Sequence, residues 1–287
     1  MSIAPLFQRL IRYRRSLGVS IGLLLAGCHT TTPSIPSDVI AESRWVKLTD
    51  KLVIVDSYQP KDVEHAPVVV VAHGFTRSKR YMAGWGILLA KNGFTALVLN
   101  QPTWADHTRN GKAIAELLLK AGSNEMPLQT KPDGRTALVG MSMGGLTSLL
   151  ACEQSKANAW VGLDPVDTPG GVGAKVARHL NIPAAVLLAE PSRWNFQGNA
   201  RGMIDAFPDP PFVIKVRDAA HCDTESPTDI AGKFITGWTS PKRLETYEQY
   251  VLAFLKAKLL DDEKARNELD TAKKDEYVTV IEHATTK

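Results

Sequence analysis

The chain has 287 residues, 44% of them hydrophobic and 22% charged. That allows one large domain or two small ones with ample apolar content for a packed core, and excludes a disordered or low-complexity chain. The formal net charge of +4 reflects 34 Lys+Arg against 30 Asp+Glu, but the first 27 residues hold Arg9, Arg12, Arg14 and Arg15 and no acid, so the remainder is balanced and offers no electrostatic case for a nucleic-acid partner.

In chain order, the leader comes first. Its arginines precede an apolar run over 17–26, LGVSIGLLLA. This is too short to cross a membrane as a helix, which takes about 20 residues, but suits the core of an export signal. The run ends in Leu25-Ala26-Gly27-Cys28, which resembles the lipobox of bacterial lipoproteins. The resemblance implies a signal peptide over 1–27, cleavage before Cys28 and acylation of that cysteine, for example with palmitate. It further implies a membrane partner reached through the N-terminal lipid and a place in the bacterial cell envelope, on the outer-membrane or periplasmic side. Residues 28–41 then read as a polar, proline-containing spacer.

From there the chain alternates strands and helices, which predicts one domain over 42–260. A short hairpin is expected over 45–48 and 52–57. Residues 67–72, Pro-Val-Val-Val-Val-Ala, read as a strand buried on both faces. A helix follows over 81–92, closed by Gly93, then a strand over 94–99 and a helix over 107–120. Strands over 135–139, 159–163, 184–189 and 211–216, a helix over 143–155 and a last helix over 243–260 complete the pattern. Such alternation predicts an α/β fold: a mostly parallel twisted sheet with helices on both faces. No segment is long enough for a large lid domain. The tail over 261–287 carries charge of both signs and reads as a frayed helix or mobile end.

Residues 140–145, Gly-Met-Ser-Met-Gly-Gly, match G-x-S-x-G between a valine-rich strand and a helix. The tight turn needs its glycines because a β-carbon at 140 or 144 would crowd the serine backbone or the neighbouring strand. It presents the Ser142 hydroxyl above the sheet as a candidate nucleophile, which requires a base. Among the histidines, His29 lies in the spacer, His73 ends a strand at a His-Gly turn, and His107, His179 and His283 fall in or near helices. His221 follows the last parallel strand, where a base belongs in a Ser…acid…His order. Three acids could orient it: Asp164 and Glu190 at the ends of neighbouring strands, and Asp167 in the turn after Asp164. The residues alone leave the choice open. For the oxyanion, the amide of Met143 supplies one donor, and the loop 73–76 a second, taken as Phe75. Trp85, Trp104 and Trp194 fall near the proposed site and could line an apolar substrate pocket. Cys152 and Cys222 are taken as free thiols, because Cys152 lies well down its helix from the site. Cys222-Asp223 has no further ligand group at a recognisable spacing, so no metal is expected.

Together these motifs resemble the α/β-hydrolase superfamily over residues 67–260, and within it the chlorophyllase-like and platelet-activating-factor-acetylhydrolase-like serine esterases. The resemblance rests on His73-Gly74-Phe75 after a strand, on the elbow at 140–144, on Gly162-Leu163-Asp164-Pro165-Val166-Asp167, and on His221-Cys222-Asp223. It implies Asp164 as the acid, with Glu190 as the alternative. It also implies a small-molecule ester substrate and no cofactor. Met141 and Met143 flank the serine where plant chlorophyllases carry His and Arg, so the chlorophyll substrate does not carry over. An amidase or peptidase with the same triad, or a non-catalytic envelope lipoprotein, are the alternatives.

Overall fold

Nine strands in the order β1-β2-β4-β3-β5-β6-β7-β8-β9 form the single sheet of the computed structural model, which describes residues 33–282. The strands are β1 (Val39–Leu48), β2 (Lys51–Pro60), β3 (His65–Ala72), β4 (Thr95–Leu99), β5 (Lys131–Met141), β6 (Ala159–Leu163), β7 (Ala184–Leu188), β8 (Phe212–Val216) and β9 (Val278–Val280). The central strands β4-β3-β5-β6-β7-β8 are parallel. The pairs β1/β2, β2/β4 and β8/β9 are antiparallel. Eight helices accompany them: α1 (Ala83–Lys91), α2 (His107–Gly122), α3 (Met143–Ser155), α4 (Val172–Ala177), α5 (Arg201–Ile204), α6 (Ile230–Thr236), α7 (Pro241–Leu259) and α8 (Glu263–Asp270).

The two-residue period of a strand sends alternate side chains to opposite faces. Along β3, Val69 and Val71 enter a core with Trp85 and Leu89 of α1 and Tyr247, Val251 and Phe254 of α7. Val68 and Val70 enter a second core with Ile114 and Leu117 of α2, Leu149 of α3 and Met203 of α5. A run of valines is therefore what a strand covered on both sides requires.

The expected hairpin is longer than its apolar stretch indicated, because β1 and β2 pair from Val39↔Pro60 to Leu48↔Lys51. The folded part thus begins before residue 42. The segment after Asp261 also differs from expectation. It forms α8, whose first turn is capped by the Asp262 carboxylate accepting from Ala265 N–H, and then β9, which pairs with β8 through Val216↔Val278. Val278 is 3% exposed, so burial of a few apolar residues anchors a segment that reads as solvated from its charge. The proposed signal peptide, Cys28 and His29 lie outside the described residues, as does His283.

Candidate active site

The C-terminal ends of β3, β5, β6, β7 and β8 converge on one cavity edge, where parallel α/β sheets place their ligands. Ser142 stands between β5 and α3 with φ 55° and ψ −123°, outside the usual region for a side-chain-bearing residue. Such a conformation costs about 1–3 kcal/mol and persists only when its surroundings fix it. Here Ser142 N–H donates to Leu163 C=O (2.9 Å), and Gly145 N–H donates back to Ser142 C=O (2.9 Å). The glycines make the approach possible. A β-carbon at Gly140 would lie 2.2 Å from Gly144 O, and one at Gly144 would lie 2.4 Å from His73 O.

Ser142 Oγ–H donates to His221 Nε2 (2.9 Å), and His221 Nδ1–H donates to Asp164 Oδ2 (2.6 Å). A carboxylate only accepts, so the proton belongs on Nδ1 and Nε2 is left to accept from the serine. The three residues come from the ends of β5, β6 and β8 and are 7%, 1% and 6% exposed in the order Ser142, Asp164, His221. Asp164 is itself at positive φ (41°), held by its N–H donating to Leu187 C=O (2.7 Å), and its Oδ1 accepts from Ala189 N–H (3.1 Å). Asp223, two residues beyond His221, accepts from Ala220 N–H (2.7 Å), Ser240 N–H (2.7 Å) and Arg243 Nε–H (2.6 Å). That fastens the histidine loop to the start of α7.

The competing acids are engaged elsewhere. Glu190 Oε2 accepts from Lys215 Nζ (2.8 Å) and is partly open to solvent. Asp167 accepts from Gly173 N–H (2.7 Å) and Ala174 N–H (3.0 Å), capping α4. His73 is not brought to Ser142. Its Nδ1–H donates to Gly74 C=O (2.8 Å), its Nε2 accepts from Gln101 N–H (3.1 Å), and burial pushes its pKa down to about 4, keeping the ring neutral.

Phe75 and Met143 line the same cavity as Ser142, and among the described residues no hydrogen bond is seen from the backbone N–H of either. Met143 is the first residue of α3, where unsatisfied N–H groups and the helix dipole favour negative charge. The cavity measures about 610 Å³, and its walls include Phe75, Met143, Val166, Trp194 and Ile235. Of the three tryptophans expected there, Trp194 lines it, with its Nε1–H donating to Ile235 C=O (2.8 Å). Trp104 stands beside it, its ring 5.8 Å from that of Phe75. Trp85 is elsewhere: it is fully buried on α1 with Nε1–H donating to Thr224 C=O (2.9 Å), because its helical position faces the sheet.

Cys152 and Cys222 are buried free thiols. Burial pushes the Cys222 thiol up to about 12 and that of Cys152 higher, so neither is a thiolate.

Two features escape the sequence. Arg77 also lines the cavity, paired through Nε and Nη2 with Glu225 (2.6 and 2.5 Å) and lying over the Tyr81 ring. Its partners Glu225 and Asp229 keep it charged despite burial. Asn195 meets Asp164. No motif in the sequence marks either, since the contacts join segments far apart in the chain.

Residues 67–216 match the family model of the alpha/beta hydrolase fold. No curated protein matches the sequence.

Proposed function

Because the chain belongs to the alpha/beta hydrolase fold family, we propose that it is a serine hydrolase that cleaves carboxylic esters through an acyl-enzyme. The observation that carries this is the relay Ser142–His221–Asp164, whose serine opens onto an apolar cavity beside two uncommitted backbone amides. In this reading Ser142 Oγ attacks the acyl carbon and its proton passes to His221 Nε2. The N–H groups of Phe75 and Met143 hold the negative oxygen of the tetrahedral intermediate. His221 then gives the proton to the departing alkoxide, which leaves as alcohol. A water, deprotonated by the same nitrogen, attacks the acyl-enzyme and releases the carboxylic acid. Asp164 fixes the imidazole tautomer and stabilises the imidazolium. The placement of the acid after β6 is what the chlorophyllase-like and platelet-activating-factor-acetylhydrolase-like esterases would require.

A fluorophosphonate probe is expected to label the purified protein at one serine, and p-nitrophenyl esters of graded chain length to be turned over. The apolar lining favours acyl chains over charged acids. Absence of both labelling and turnover overturns the proposal. Faster cleavage of matched p-nitroanilides than of esters transfers it to an amidase.

Lipid anchoring at Cys28 completes the proposal and rests on Leu25-Ala26-Gly27-Cys28 behind the basic, apolar leader. Cys28→Ser is expected to abolish incorporation of labelled fatty acid and to leave uncut precursor, or soluble protein if another peptidase acts. A wild-type protein that is wholly soluble and carries no fatty acid overturns it.

A further inference from the structure

We propose that Asn195 is a positioning residue that fixes the Asp164 carboxylate for His221 and ties it to the pocket wall, an inference that rests on the serine-hydrolase reading above. Asn195 is fully buried at the end of a short 3-10 turn, Arg193–Asn195. Its Nδ2 amino group donates to Asp164 Oδ2 (3.0 Å), to Oδ1 (3.3 Å) and to Glu190 C=O (3.0 Å). Its Oδ1 accepts from the N–H groups of Ser192 (2.8 Å) and Gly198 (3.0 Å). A flipped amide would set oxygen against carboxylate and NH₂ against two N–H groups, so the surroundings dictate which end faces Asp164.

The two ends of this amide do different things. Oδ1 closes the loop 192–198, whose Trp194 and Phe196 line the cavity. Nδ2 reaches out of that loop to the acid. Among the described residues the other donors to the Asp164 side chain are His221 itself and Ala189 N–H on Oδ1. Oδ2, the oxygen that meets the imidazole, thus has Asn195 as its remaining donor, which limits rotation of the carboxylate away from His221. A residue that only held the loop would need Oδ1 and the Nδ2 bond to Glu190 C=O, and no contact with Asp164.

Asn195→Asp separates the two roles. It keeps an acceptor for Ser192 and Gly198, gives up the bond to Glu190 C=O, and sets a carboxylate oxygen against Asp164 where a donor stood. Like charges at this distance make the pair bind a proton and strengthen the hold of His221 on its own, and both effects move the acid limb of the kcat/KM profile to higher pH. The expected result is a fall of about 100-fold in kcat and in fluorophosphonate labelling, with KM within about threefold and the limb displaced upward by on the order of one pH unit. Trp194→Ala, which alters the wall alone, is expected to raise KM and leave the limb in place.

An Asn195→Asp protein with an unmoved limb and kcat within about threefold of wild type overturns the inference, as does a loss confined to KM. Should that variant fail to fold, Asn195→Ala decides. A fall of about tenfold or more in kcat at retained KM supports the positioning role, and an unchanged kcat overturns it. A wild-type protein that takes no fluorophosphonate is a separate outcome, in which the serine-hydrolase reading itself falls.

Discussion

Ser142→Ala is expected to yield a folded protein that takes no fluorophosphonate and has lost on the order of 10⁶ in kcat. Among the described residues only the Ser142 hydroxyl is hydrogen-bonded to His221 Nε2 (2.9 Å), it lines the cavity, and without it no acyl-enzyme is expected to form. Residual hydrolysis would come from substrate binding and the amides of Phe75 and Met143 alone. The fold should survive because the elbow is held by backbone bonds, Ser142 N–H to Leu163 C=O and Gly145 N–H to Ser142 C=O, which alanine retains. The change removes one hydroxyl and its bond to His221, a difference of about 1 kcal/mol or a few degrees in Tm. Labelling, kcat/KM and thermal unfolding measured on the same preparation check this. Undiminished labelling of the variant would show that another residue is the nucleophile.

Asp164→Asn is expected to lower kcat by about 10²–10⁴ without unfolding the protein. An asparagine amide that turns its NH₂ toward Nδ1 stabilises the tautomer with the proton on Nε2, and that nitrogen can no longer accept from Ser142. The neutral side chain also withdraws the charge that stabilises the imidazolium. Glu190→Gln supplies the contrast. It breaks a half-exposed pair with Lys215, worth no more than about 1 kcal/mol, and should cost on the order of tenfold or less in rate. Asp167→Asn should act on stability through the α4 cap, since the Asp167 oxygens receive Gly173 and Ala174 N–H groups and no part of His221. Steady-state rates and Tm of the three variants are the measurement. Wild-type rates in Asp164→Asn together with collapse in Glu190→Gln would move the acid to the end of β7.

The parts of the molecule that were legible in advance are those with short-range causes. The valine run of β3, the Gly-x-Ser-x-Gly turn and the strands β4 to β8 each carry their signal within a few residues, and Ser142 and His221 follow from position relative to those strands. Asp164 and Glu190 were not separable by such reasoning. Both end adjacent parallel strands, and what distinguishes them is that Glu190 turns to Lys215 while Asp164 turns inward to His221. Trp85 shows the same limit in reverse. A tryptophan close to a candidate-site loop in sequence is as compatible with a pocket as with a core, and only the rotation of α1 against the sheet decides. The helix α6 and the strand β9 are too short, and too surrounded by charge, for periodicity to reveal them. Asn195 is the extreme case, because its bond to Asp164 joins residues 31 positions apart in the chain.

The pairing of β9 with β8 has a consequence for solubility. β8 leads into the His221 loop, and its ladder beyond β7 is filled by Val278, Thr279 and Val280, with Arg217 N–H and Ile281 N–H extending the bonds at either end. A chain cut after Leu260 would keep every residue of the relay but leave the outer N–H and C=O groups of β8 bare. An uncovered edge of apolar character invites strand addition from a second molecule. The C-terminal segment is therefore expected to act as a guard: it replaces the five-residue edge of β8 with the three residues of β9, and its removal should raise aggregation of the purified protein as read by light scattering.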